Sequence, residues 1–149
     1  MDVRRIRADE WRLWREARLR MLREEAAYFS TRYDDAVREP EAVWQTWTAE
    51  AADGVDKVLF VAEDGGATLG VVGAFRRLDP AEVQLVSLWV DPQARGRGVA
   101  GSLIQAVAAW ARDGRCAPSR QWAESGHGLH EQIQKSFFPF IFRSILIMF

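Results

Sequence analysis

Apolar positions along this chain follow two periods, and the switches between them mark its elements. Residues 3–6 are suited to start a sheet. Asp9 is placed to cap a helix reaching about Glu24, because Trp11, Trp14, Ala17 and Met21 recur at three- and four-residue spacing. Tyr28, Phe29 and Tyr33 then stand among Ser30, Thr31, Asp34 and Asp35, which reads as a loop with aromatic anchors. Pro40 suits the first turn of a second helix and Glu41 its dipole; Val43, Trp47 and Ala51 form the stripe, and Asp53-Gly54 the stop. The pattern then changes to short apolar runs. Residues 57–63 and 68–75 read as strands joined at Asp64-Gly65-Gly66, a hairpin signal. Leu78-Asp79-Pro80 turns the chain into a strand over 82–90, and Val99, Leu103, Val107 and Trp110 return to the helical period. The order β-α-α-β-β-β-α predicts one α/β domain whose central sheet is flanked by helices.

The junction between that last strand and helix carries the chemistry. Leu85-Val86-Ser87-Leu88-Trp89-Val90 has the length and residue types of a buried strand, and Asp91-Pro92 stops it. The loop Gln93-Ala94-Arg95-Gly96-Arg97-Gly98 is basic and glycine-rich, and a helix opens directly behind it. The first N–H groups of a helix have no partner within it, and the dipole adds partial positive charge there. Glycines let a phosphate approach the backbone closely. The junction is therefore a candidate anion cradle. Gly96-Arg97-Gly98-Val99-Ala100-Gly101 also spells the dinucleotide fingerprint. That motif expects the loop directly at the strand end and a second strand closing on an acidic residue about 20 positions on. Here Asp91 to Arg95 intervene, and Pro118 and Ser119 stand in the later region. A P-loop is excluded because Ser102 follows Gly101 without a lysine.

Gln93-Ala94-Arg95-Gly96-Arg97-Gly98 resembles the Q/R-x-x-G-x-G/A pattern of the GNAT N-acetyltransferase superfamily, and Leu88-Trp89-Val90-Asp91-Pro92 resembles that family's fourth strand and its exit. The resemblance is strongest from Val83 to Asp113 and extends back to Val3. It implies a GNAT-type mixed central sheet flanked by helices, with acetyl-coenzyme A as co-substrate. Its pyrophosphate would rest on backbone amides of Gln93, Arg95, Gly96, Arg97, Gly98, Val99, Ala100 and Gly101, and its pantetheine arm on Leu88, Trp89 and Val90. The region between the first two helices would line the acceptor side.

With 149 residues the chain has the size of one domain with a real core, and the whole span is read as one domain with residues 116–149 as an atypical tail. Basic and acidic residues balance, 20 against 21, so no global field points to nucleic acid. Eight arginines crowd the first 23 residues, interleaved with acidic ones, which reads as a solvated helix face. Cys116 is alone, which excludes an intrachain disulfide and fits a cytoplasmic setting, and no signal peptide is visible. A homodimer is compatible with all of this. After Asp113 the resemblance is read as ending: Arg115 to Trp122 contains Pro118 and few β-branched residues, and the chain ends in an apolar run from Phe137, broken by Pro139 and Arg143 and too short to span a membrane. A shifted reading frame or a divergent end would produce such a change. Phe140, Phe142, Ile145 and Ile147 are expected to pack on the sheet.

Acetyl transfer to an amine needs a base, because an alkylammonium titrates near pH 10. Many family members carry a glutamate where Gln84 stands, and glutamine cannot take a proton. Period-two alternation puts Glu82, Gln84, Val86, Leu88 and Val90 on one face and Val83, Leu85, Ser87 and Trp89 on the other. Glu82 is therefore the nominal base, acting through water. His127 and His130 titrate in the right range but lie in the tail, and no tyrosine follows Tyr33 to supply the family's usual acid. The expected activity is acetylation of a primary amine on a small molecule or peptide. A coenzyme-A-binding module with little or no catalysis and a dinucleotide-binding domain are the alternatives.

Overall fold

The computed structural model describes residues 1–29, 31–76 and 82–113, together with a short strand at 146–148. Its elements are β1 (Asp2–Arg5), α1 (Trp11–Glu24), α2 (Tyr33–Val37), α3 (Glu41–Asp53), β2 (Lys57–Asp64), β3 (Ala67–Arg76), β4 (Glu82–Val90), α4 (Val99–Asp113) and β5 (Leu146–Met148). The strands form one sheet in the order β1-β2-β3-β4-β5, and every pairing is antiparallel. The expected α/β architecture, a sheet flanked by helices, is present.

Two apolar layers sandwich the sheet. On one face α1 and α3 bury Trp11, Trp14, Met21, Trp44 and Trp47 against Leu59, Val61, Val71 and Trp89. Trp14 and Trp47 stack with centroids 4.8 Å apart. On the other face α4 lays Val99, Leu103, Val107 and Ala111 on Val58, Ala62, Val72, Val83 and Leu85. The α2 helix lies inside the stretch read as a loop. Asp34 and Asp35 in its first turn favour the dipole, and Ala36 is buried. Of the expected aromatic anchors, Phe29 packs on the α1–α3 layer while Tyr28 is 79% exposed.

Three readings are corrected. Asp9 is not the cap of α1; Glu10 occupies that position. Its carboxylate accepts the Arg7 N–H at 2.9 Å and two bonds from the Arg4 guanidinium at 2.8 Å. Arg4 also grips Glu63 of β2 at 2.7 Å, so one cation ties β1, β2 and the start of α1. The arginine-rich N-terminus is not wholly a solvated face. Arg5 donates to the Ala51, Gly54 and Lys57 carbonyls, and Arg18 is 7% exposed. Finally, the alternation of β4 does not run through the whole strand. Val71 opposes Trp89 and Gly73 opposes Val86, so two residues of β4, Ser87 and Leu88, face Val72 alone. This is a β-bulge, and Ser87 sits at φ 53°. The extra residue reverses the faces: Val83, Leu85, Leu88 and Val90 belong to the α4 layer and Trp89 to the α1–α3 layer.

The strand β5 pairs with the first residues of β4, Glu82 opposite Met148 and Gln84 opposite Leu146. Cys116, His127, His130, the Leu78-Asp79-Pro80 turn and the packing expected of Phe140, Phe142, Ile145 and Ile147 lie outside the described residues and side chains.

Candidate active site

The end of β4 is held in place from two directions. The Asp91 N–H donates to the Leu69 carbonyl at 2.8 Å, continuing the β3–β4 ladder. The Asp91 carboxylate then caps a single 3-10 turn, Pro92–Ala94, accepting the Gln93 N–H at 2.9 Å. Arg20 of α1 donates to the other oxygen at 2.8 Å and lies 5.0 Å from the Trp89 ring centroid. The Gln93 N–H and then Arg20 hold the Asp91 carboxyl below the usual carboxylate range, and Asp91 in turn raises Arg20. Sequence reasoning missed the Arg20–Asp91 pair because its members are 71 residues apart.

Beyond this turn the backbone swings through Gly96 at φ 77° and Gly98 at φ 78°, a region that only glycine enters freely. A Cβ at either position would meet nothing within 4 Å, so each glycine answers to the backbone path and the open space above it. The first bond inside α4 runs from the Ser102 N–H to the Gly98 carbonyl at 3.1 Å. Among the described residues, the N–H groups of Val99, Ala100 and Gly101 thus have no acceptor at the helix start, beside exposed glycine backbone. Val99 contributes only its backbone here, since its side chain is buried under α4.

The loop arginines do not occupy this space. Arg95 pairs with Glu25 and donates to the Val90 carbonyl, and Arg97 reaches Asp64 at 3.2 Å. Gln93 is exposed beside them. The candidate cradle therefore offers main-chain donors, with the two exposed cations Arg95 and Arg97 beside it. Of the expected strand contacts, Leu88 and Val90 are half-buried on the α4 side and Trp89 is buried on the other. Glu82 begins β4 at the end away from the loop. The dinucleotide reading is not supported. Its βαβ unit requires parallel strands, and the strand feeding this loop is antiparallel to both neighbours.

Residues 7–132 match the acetyltransferase (GNAT) family. This chain belongs to that family. The match continues past Asp113, where the resemblance was read as ending, to residue 132. N-acetyltransferase 8 of Rattus norvegicus is 43% identical over 59 residues, which is 37% of this chain and 27% of that protein. A probable N-acetyltransferase family 8 member 5 of Mus musculus is 41% identical over 59 residues, 37% of this chain and 26% of that protein. The aligned segment thus spans about a quarter of each curated relative. Among solved structures, a GNAT-family acetyltransferase of Staphylococcus aureus superposes with a TM-score of 0.61 at 16% identity, covering 77% of this chain and 94% of its own. An aminoglycoside N-acetyltransferase in complex with coenzyme A gives 0.57 at 19% identity, covering 91% and 84%. At these identities the superpositions establish the GNAT fold. Among the described residues, no helix is long and apolar enough to cross a membrane.

Proposed function

We propose that this GNAT chain moves an acetyl group from acetyl-coenzyme A to a primary amine of a small molecule or peptide. The observation that carries the reading is the main-chain cradle: two glycines at positive φ, an open surface above them, and a helix start whose donors are unpaired. A pyrophosphate fits such donors in charge and in the close approach it needs. Acetyl-coenzyme A would supply the activated acetyl thioester. Backbone groups of Gln93, Arg95, Gly96, Arg97, Gly98, Val99, Ala100 and Gly101 would hold its phosphates. Those of Leu88, Trp89 and Val90 would hold the pantetheine arm. The Ser87–Leu88 bulge supports this second role, because a bulge takes residues out of the ladder and frees backbone groups beside it.

The amine must arrive unprotonated. Glu82 would receive its proton through water, since about 16 Å of strand separates it from Ser87. In that case Glu82→Gln should slow transfer strongly at neutral pH and little above pH 10, where the amine is already free. A loss that is the same at every pH would leave Glu82 with a structural role only.

The test of the reading has two arms. Coenzyme A at a hundredfold excess over its Kd should stabilise the fold by about 2.7 kcal/mol, seen as a higher Tm, while NAD should not. Acetyl-coenzyme A with a panel of amines should release free thiol. A larger shift with NAD overturns the coenzyme assignment. Coenzyme binding without thiol release favours a second reading, a coenzyme-A-binding module, which the lack of any tyrosine after Tyr33 supports.

A further inference from the structure

Arg18 occupies an unusual place. It lies on the apolar side of α1, between Trp14 and Met21, and is 7% exposed. One guanidinium nitrogen donates to the Met21 sulfur and to the Ser87 hydroxyl, both at 3.1 Å. The Phe29 ring centroid is 5.1 Å away. No carboxylate pairs with it among the described residues, in contrast to Arg4, Arg7, Arg20, Arg95 and Arg97, which all have one. A guanidinium has five donors, and a buried unpaired cation is costly to keep. Burial draws its pKa down to about 10, so it remains a cation at neutral pH. Trp14 Nε1, one turn earlier on α1, and Trp89 Nε1, two residues past Ser87, are also buried donors without an acceptor among the described residues. Both rings belong to the same α1–α3 layer.

The position of this cation decides what anion it meets. Ser87 is the left-handed residue of the β4 bulge and precedes Leu88, where the proposed coenzyme path along β4 begins. Phe29, whose ring the guanidinium also approaches, belongs to the connection between α1 and α2. The coenzyme phosphates would lie beyond Val90, at the loop end of the strand, more than about 10 Å of strand from Ser87. The anion at Ser87 would therefore come from the acceptor. We propose that Arg18 recognises a carboxylate on the acceptor, so that the substrate is an amino-acid-like molecule bearing both a primary amine and a carboxylate. This rests on the acetyltransferase reading above, with the acceptor entering between β4 and the α1–α2 connection. A guanidinium suits the role because its planar fork matches a carboxylate with two parallel bonds.

The experiment compares glycine, alanine and phenylalanine with their amides, as acceptors for the full chain and for Arg18→Met and Arg18→Lys. Rates are compared at equal concentrations of unprotonated amine. The same pairs, as N-acetylated products, are titrated calorimetrically into each protein saturated with coenzyme A. This second readout needs no turnover. The wild type should prefer the carboxylate member of a pair by tenfold or more, in kcat/KM and in product affinity. Arg18→Met should bring that ratio near one, and Arg18→Lys should restore part of it. Melting temperatures with and without coenzyme A show that each variant folds and still binds the coenzyme. A wild-type ratio near one, or an Arg18→Met ratio equal to the wild type's, overturns the proposal. If product binding shows the ratio while thiol release is absent, the carboxylate site stands and the catalytic reading fails.

Discussion

Gly98 sits at φ 78° with nothing within 4 Å of the place a Cβ would take. A β-branched side chain there meets no steric wall, only the backbone's own penalty and the bound anion. Left-handed geometry costs an ordinary residue about 1–2 kcal/mol and a β-branched one more. Gly98→Val should therefore weaken coenzyme A at least tenfold by titration, whereas Ser102→Ala, within α4 and donating only to the Gly98 carbonyl, should change it less than threefold or so. Equal affinity for the two variants would place the phosphates elsewhere. Asp91 contributes at the same scale through its proton. Its folded pKa is depressed, so its stabilisation is complete above the unfolded value near 4 and is lost as pH falls through the folded value. Glu10 behaves alike, held down first by Arg4. Asp91→Asn should cost about 1 kcal/mol at pH 7, a capping-scale effect, and should flatten the fall of Tm below pH 4. An acid limb as steep as the wild type's would mean that Asp91 is not among the groups that set it. The glycines could be read from the sequence because only they serve this loop. Arg18 could also have been read: at positions 11, 14, 18 and 21 the apolar spacing passes directly through it. Seven neighbouring arginines hid it, because their number suggested a solvated surface.

At the scale of elements, periodicity located strands and helices well because burial on a sheet or helix face imposes it. The span of β4 matched residue for residue, and the ends of α1, α3, β2 and β3 fell within one or two positions. What periodicity could not show was the bulge. A bulge inserts one residue without changing composition, so strict alternation put Ser87 and Trp89 with Val83 and Leu85 when the structure puts Trp89 on the opposite layer. The short α2 was hidden for a related reason: five residues give too little apolar repeat to register. The contact of α4 with the sheet rests on a close approach at Gly70. A Cβ there would stand 2.7 Å from the Trp89 carbonyl oxygen and 3.2 Å and 3.3 Å from Val99 and Leu103 side-chain carbons. The backbone oxygen cannot yield without moving the end of β4. Gly70→Ala should therefore lower stability by about 1–3 kcal/mol in chemical denaturation and weaken coenzyme A as well, because the displaced strand feeds the loop. A stable variant with normal affinity would show that β3 and α4 can separate freely.

For the whole molecule, the two layers share one sheet, and the described part of the chain's far end joins that sheet as β5. Strands β1 to β4 and the helices bury two apolar clusters between them, and the described members of both clusters lie before Asp113. The sheet itself extends further: β5 lies along the outer edge of β4, with Val83 opposite Ile147. That pairing covers only the first three residues of a nine-residue strand. Beyond them, Leu85 to Val90 runs along an edge with no further strand among the described residues, and it leads to the bulge and the proposed coenzyme path. An uncovered edge presents unpaired N–H and C=O groups and invites association with another chain. A chain ending at Ser136 loses β5 and frees the whole edge. It should melt lower than the full chain, by several degrees for a loss of about 1–2 kcal/mol in a domain of this size, and give less soluble protein. Coenzyme A should still raise its Tm, because Gly96, Gly98 and the start of α4 take no bond from β5. A short form that is equally stable and more soluble would show that β5 adds nothing to the sheet. Loss of the coenzyme shift at unchanged Tm would instead tie the last residues to the cradle.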